Sequence, residues 1–342
     1  MNAELCIDCG LCIKKCSFIK KDDIRSKEVD RVWAYRIVDK NVLFDSTSGG
    51  AFTGISDVVL ECGGSVSACI MDESFTVRHI LTTDKITRDE MRRSKYVQSS
   101  TAGIFAQVKT ELKKGKTVLF VGTPCQVAQM IEVSDGHRDN LIACDFICHG
   151  VPNNDFFINH IHFLEGLYGK KAIKYFFRGK RYGWNHLLEE VKFANGRICG
   201  DKKVQAYSKF FYSGVSLRPS CYNCRYRSID RVSDITIADF WGIDKIIGDT
   251  DNLGYSLIAV NTEKGKQIVE LLSNSGKLIE VEKEKVVDRI GEPILKCKID
   301  TDEFWKLYQN EGYSGLVNRY TDVSFMGAVV HKIKKLVKRI IK

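Results

Sequence analysis

Short, almost wholly apolar runs alternate along the chain with longer stretches whose apolar residues recur three and four apart. The short runs read as buried strands: Val32 to Val38, Ser65 to Met71, Thr117 to Val121, Leu141 to Ile147, Ile235 to Ala238 and Ser256 to Val260. A strand covered on both faces has no polar face to show, so it loses the alternation of a half-exposed sheet. The helical period occupies Ala51 to Leu60, Ala102 to Leu112, Phe156 to Leu167 and Lys264 to Leu272. Gly63-Gly64 closes the first of these, and Thr262 offers an N-cap to the last. Strands alternating with helices predict an α/β fold on a parallel or mixed sheet.

The first twenty residues depart from this pattern, with four cysteines and little that could form a core. The expected layout is a small N-terminal ferredoxin-like segment over 1–25 and α/β domains over 40–135 and 136–325. A basic amphipathic helix over 326–342 would follow. In that last stretch Val329, Val330, Ile333, Leu336, Val337, Ile340 and Ile341 share one helical face, and six Lys and Arg residues take the other. Such a helix docks on a membrane surface or on a partner.

Composition narrows the classes. The chain has 342 residues, 44% hydrophobic and 28% charged, which suits a folded protein of about two domains. It has no apolar run long enough to span a bilayer. Its start, Met-Asn-Ala-Glu-Leu-Cys6, lacks the basic and apolar parts of a secretory signal. A cytoplasmic protein is expected, or one at the inner face of the membrane. Its 13 cysteines would then be reduced, and metal ligation or redox chemistry explains them better than disulfides. The net charge of +9 owes six to residues 329–342, so the rest is near neutral. That excludes a general nucleic-acid-binding surface.

Cys6, Cys9, Cys12 and Cys16 have the spacing C-x2-C-x2-C-x3-C of a bacterial-type [4Fe–4S] ligand set. Zinc sites use pairs of pairs instead. Ser17 stands where ferredoxins have proline, and no second copy of the motif follows. A second cluster would draw on Cys16 and remote thiols. Cys125 follows an apolar strand, Cys148 follows another, and Cys221 and Cys224 form C-x2-C after a proline turn. If the strands are parallel, the first two lie at the carboxyl edge of the sheet, where α/β folds bind ligands. Cys125, near a helix start, could alternatively be an activated thiol. Cys62, Cys69, Cys144, Cys199 and Cys297 read as core residues.

Clusters carry single electrons and need a partner cofactor for hydride chemistry, a task for flavin. Three loops could cradle one: Ser48-Gly49-Gly50-Ala51, Ser94-Lys95-Tyr96, and Gly122-Thr123-Pro124-Cys125-Gln126. No GxGxxG occurs, so a standard dinucleotide site is unsupported. His149 could donate a proton beside flavin or substrate. Asp239 would more ordinarily cap a turn. His160 and His162 lie on a helix as surface or core residues.

These loops, with Cys148-His149-Gly150 and Cys221-x-x-Cys224 before Ser233-Asp234-Ile235, resemble the coenzyme F420 hydrogenase/dehydrogenase beta-subunit family from about residue 3 to about 295. The resemblance implies an FAD-binding iron–sulfur α/β oxidoreductase with one or two [4Fe–4S] clusters. It would pass electrons between a ferredoxin-like donor or acceptor and a deazaflavin or small acidic substrate. Some members of the family occur in surface-polysaccharide metabolism. The resemblance supports Cys125, Cys221 and Cys224 as ligands and the three loops as flavin surroundings. It places Arg178, Lys180, Arg181, Gly183 and Trp184 at the substrate side. Two other readings remain: a non-catalytic electron-transfer subunit that wires a partner enzyme, and a zinc-stabilised binding module.

Overall fold

A computed structural model describes residues 4, 6–19, 29–186, 188–248, 251–286, 297 and 299–321. The strands are β1 Arg31–Ile37, β2 Ser65–Met71, β3 Val77–Thr82, β4 Val118–Gly122, β5 Leu141–Phe146, β6 Ala172–Gly179, β7 Leu188–Phe193, β8 Ile198–Cys199, β9 Ile235–Asp239, β10 Ser256–Val260 and β11 Gly276–Val281. The helices are α1 Leu11–Lys14, α2 Lys40–Phe44, α3 Ala51–Glu61, α4 Lys85–Asp89, α5 Ile104–Lys113, α6 Pro124–Ser134, α7 Asn154–Tyr168, α8 Ala206–Ser213, α9 Pro219–Tyr222, α10 Asp244–Ile247, α11 Glu263–Glu270 and α12 Thr301–Tyr320.

Eight strands form one mixed sheet in the order β11-β1-β10-β9-β5-β4-β2-β3. The block β2, β4, β5 and β9 is parallel, and β1, β10, β11 and β3 pair antiparallel at its flanks. The apolar runs lie in this sheet because both of its faces are covered. Val118 to Val121 and Leu141 to Cys144 are buried between two apolar clusters. Thr262 caps α11 as its sequence predicts, its side chain accepting from the Gly265 N–H.

A second, three-stranded sheet, β6-β7-β8, packs with α7, α8 and α12 around a core rich in Phe and Tyr. Its strands escape the pattern of apolar runs because β6 holds Lys174 and Arg178, and β7 holds Glu189, Glu190 and Lys192. The edge strand β11 is missed for the same reason, since Lys277 and Glu280 interrupt it.

The boundary expected at 135/136 meets a different arrangement. β5, just beyond it, sits between β4 and β9, and β1 pairs only with β10 and β11. The large sheet therefore takes strands from both sides of that position. Among the five cysteines expected in the core, Cys144 and Cys199 are buried, and Cys69 and Cys297 are half-buried. Cys62 corrects the expectation: it is exposed, at the C-cap of α3 where the helix turns out to solvent. His160 is fully buried. The amphipathic stretch 329–342 lies outside the described residues.

Candidate functional site

The parallel block sends the ends of β4, β5 and β9 to one edge, and the antiparallel pairing brings the end of β1 and the start of β10 there too. Thr123 and Cys125 follow β4, Cys148 and His149 follow β5, and Asp239 ends β9 ahead of Trp241. This is the edge at which a doubly wound sheet holds its ligands.

Four cysteines carried by three separate loops, Cys125, Cys148, Cys221 and Cys224, lie near enough to act on one another electrostatically. Cys125 occupies the first turn of α6, behind a capping box made by Thr123 and Gln126, and its sulfur lies 3.1 Å from Thr123 Oγ1. Gly150 lets the Cys148 loop close on the C-x2-C turn. Its φ of +126° suits glycine, and a Cβ there would stand 2.7 Å from Leu217 and 3.3 Å from Cys221. The Arg218 N–H donates to the Val151 carbonyl, and Arg227 donates to the carbonyls of Cys148 and His149.

Burial pushes the Cys148 thiol up to about 12, and Cys125, Cys221 and Cys224 add to the rise. Burial likewise raises Cys125, with Cys224 and Cys221 contributing, which opposes an activated nucleophile at this position. No group of three or more His, Cys, Asp or Glu among the described residues is arranged to hold a single metal ion.

Cys6, Cys9 and Cys12 are exposed, and Cys16 is half-buried. The segment carrying them lies on α6 and on the turn after Cys224. Burial raises the Tyr226 hydroxyl, and Cys125 and Cys16 add to the rise, so this ring lies near a cysteine of each group.

Beside the four thiols runs a band of rings. His149 lies 5.2 Å from Phe211, which stacks on Tyr96 at 4.7 Å with a 9° interplanar angle. Tyr96 also touches Phe177 and Tyr212. Beyond it, Arg178 pairs with Asp239 at 2.5 Å and lies over the Trp241 ring, which stacks on Trp184 at 4.4 Å. Burial works against the Arg178 charge, but Asp239 and Tyr96 hold it firmly protonated. Lys180 is buried and donates to the carbonyls of Leu43 and Ser48 at 2.8 and 2.6 Å. Burial brings its amine down to about 7, opposed by Asp239 and helped by Arg178, Arg36 and Arg93.

The three glycine-type loops are neighbours. The Ser94 N–H donates to Thr47 Oγ1, and Gln126 Nε2 donates to Ser99 Oγ. Their polar groups differ in what they have left to offer. Ser48 donates its hydroxyl to the Tyr255 carbonyl, and Lys95 donates to the carbonyls of Glu90, Met91 and Arg92 at the end of α4. Gly122, Thr123, Pro124 and Gln126 form the closed start of α6. The start of α3, behind Gly50 with φ +86°, takes no cap from its own N-cap residue, and its first N–H donates to Ser256 Oγ at 3.4 Å.

Sequence reasoning did not single out Phe211, Tyr212 or Trp241, and it read Asp239 as a cap. The Asp239-Phe240-Trp241-Gly242 turn past a buried strand is the local signal for two of these. Nothing local marks Phe211 and Tyr212, which sit on α8 among other aromatic residues.

Fold and site together define a cysteine-rich α/β protein. The family model for the C terminus of the coenzyme F420 hydrogenase/dehydrogenase beta subunit matches residues 115–286, half of the chain. The chain belongs to that family, which assigns it to a redox, electron-transferring class. A chain from the F420-reducing [NiFe] hydrogenase complex of Methanosarcina barkeri matches at 15% identity and a TM-score of 0.51, covering 86% of this chain and 92% of that one. At that identity the likeness is one of fold. No curated protein matches the sequence. No helix among the described residues is long and apolar enough to cross a membrane.

Proposed function

We propose that the protein is an iron–sulfur flavoprotein oxidoreductase that moves electrons between a protein partner and a small acidic or deazaflavin-like substrate. In this reading Cys6, Cys9, Cys12 and Cys16 hold one [4Fe–4S] cluster and Cys125, Cys148, Cys221 and Cys224 a second; Cys16, which the spacing alone lends to the second cluster, stays with the first because four remote thiols complete the other. What supports it is that Cys125, Cys148, Cys221 and Cys224, from three loops, act on one another, with Gly150 letting the Cys148 loop close on Cys221. Burial, with a smaller push from neighbouring thiols, raises Cys125, Cys148 and Cys221, which makes bare thiolates unfavourable there, and a cationic cluster would remove that cost by displacing the protons.

The residues present fit a flavin at the same edge, and FAD is the form proposed. When bound, it would convert a hydride into two single electrons. The start of α3, which has no cap from Gly50, with the Lys180 ammonium close by, would meet its phosphates. Arg178, held by Asp239, and the Trp184–Trp241 pair would bind and orient an acidic, planar substrate. His149 stands between the thiols and the ring band, where it could hold a proton. Electrons would enter at the exposed N-terminal cluster and pass inward, or run the reverse way.

Anaerobic purification with iron, sulfide, zinc and flavin quantified tests this. The expected content is about eight irons and one flavin per chain, with Cys9→Ser and Cys224→Ser each losing about half of the iron. Zinc without iron would overturn the proposal. Iron without flavin would favour a non-catalytic subunit that wires a partner enzyme.

A further inference from the structure

The N-terminal cysteine segment is held to the body through its backbone, and one of the bonds runs through the position at which ferredoxins carry proline. Gln129, on α6, grips the segment twice. Its Oε1 accepts from the Ser17 N–H at 3.1 Å, and its Nε2 donates to the Lys15 carbonyl at 2.7 Å. From the other side the Tyr226 hydroxyl donates to the Ser17 carbonyl at 2.7 Å, and Arg225 donates to the Phe18 carbonyl at 3.2 Å. The Phe18 ring packs edge-on against Tyr226, with centroids 5.3 Å apart. The exposed Lys15–Asp135 pair adds little, as surface ion pairs generally do.

Each grip neighbours a cysteine of the other group. Gln129 is one turn along α6 from Cys125, on the same face, and Tyr226 is two residues beyond Cys224. Ser17 is 1% exposed, and its hydroxyl has no hydrogen-bond partner. What the position contributes is therefore its N–H and not its side chain. Proline has no N–H and would leave Gln129 Oε1 without that donor.

We propose that Gln129 and the Ser17 backbone form a docking clamp, and that serine replaces the ferredoxin proline because the clamp needs its N–H. The clamp makes α6 set the distance between the two cysteine groups. Its use in electron transfer rests on the two-cluster reading above.

Hydrogen exchange of amides 11–19, followed by mass spectrometry on the anaerobically purified full-length protein, tests the clamp. Ser17→Ala keeps the N–H and should exchange at the wild-type rate. Ser17→Pro and Gln129→Ala should exchange about tenfold faster, the effect of losing one or two hydrogen bonds. Wild-type rates in both, or equal loosening in Ser17→Ala, would overturn the proposal. In the reduced protein, spin broadening between the clusters should persist in Ser17→Ala and weaken in Gln129→Ala, and unchanged broadening in Gln129→Ala would count against the clamp setting their distance. Iron counted in parallel separates the two ideas. A wild type with well under about eight irons sinks the two-cluster reading, while the exchange rates still decide the clamp.

Discussion

Lys180 holds its ammonium group against two carbonyl oxygens, Leu43 and Ser48, in a place where water scarcely reaches. Burial depresses its proton affinity to about 7, against about 10.4 in an unfolded chain. Between those values the folded chain binds fewer protons than the unfolded one, so stability from this group rises with pH. It is lowest below about pH 7, where both states carry the charge. Between pH 6.5 and 8.5 the wild type should therefore gain about 2 kcal/mol relative to Lys180→Met, read from anaerobic denaturant unfolding of both proteins. A difference that stays flat across that range would mean the amine keeps its ordinary affinity. At this scale the sequence marks the chemistry well where spacing carries it, as with Cys6, Cys9, Cys12 and Cys16. It marks it poorly where a partner arrives from another strand. Asp239 looks like an ordinary turn cap until β6 brings Arg178 against it.

Among the elements, the legible ones are those whose burial is two-sided. β1, β2, β4, β5, β9 and β10 all announce themselves as apolar runs because helices cover both faces of their sheet. In the β6-β7-β8 sheet only β7 alternates in and out, and charges interrupt both β6 and β7, among them the buried Arg178 and Glu189. The Ser48-Gly49-Gly50 loop shows a related limit. Its glycines suggest a phosphate turn, but Gly49 has a packing reason of its own. A Cβ there would lie 2.1 Å from the Tyr35 carbonyl oxygen and 2.4 Å from the Ser256 nitrogen, both backbone atoms of the sheet. Neither can retreat without breaking the β1–β10 pairing, in which Tyr35 faces Ser256. Gly49→Ala should accordingly cost about 3 kcal/mol, seen as a large drop in melting temperature. Gly166→Ala, with nothing within 4 Å of its added Cβ, should leave melting unchanged or slightly raised, and equal effects from the two would remove the packing argument.

For the whole molecule, the decisive fact is that the sheet is not built in chain order. β1 has as neighbours only β10 and β11, and β4 needs β5 on one side and β2 on the other. A chain stopped at residue 135 would keep β1 with neither neighbour and would leave β4 as an open edge. That edge, Val-Leu-Phe-Val-Gly over 118–122, is fully buried in the intact protein. A bare apolar edge strand without charge or bulge is a template for aggregation. A split at 135/136 looks natural in sequence because helices and strands alternate evenly through it, and periodicity says nothing of which strands pair. A fragment of residues 1–135 should therefore be insoluble, or soluble without a cooperative thermal transition, whereas the full chain should melt its large sheet as one unit. A soluble 1–135 fragment that unfolds cooperatively would show that β2, β3 and β4 close a core without β5. The four thiols would then sit between two independent bodies, instead of at the edge of a single sheet whose strands come from both halves of the chain.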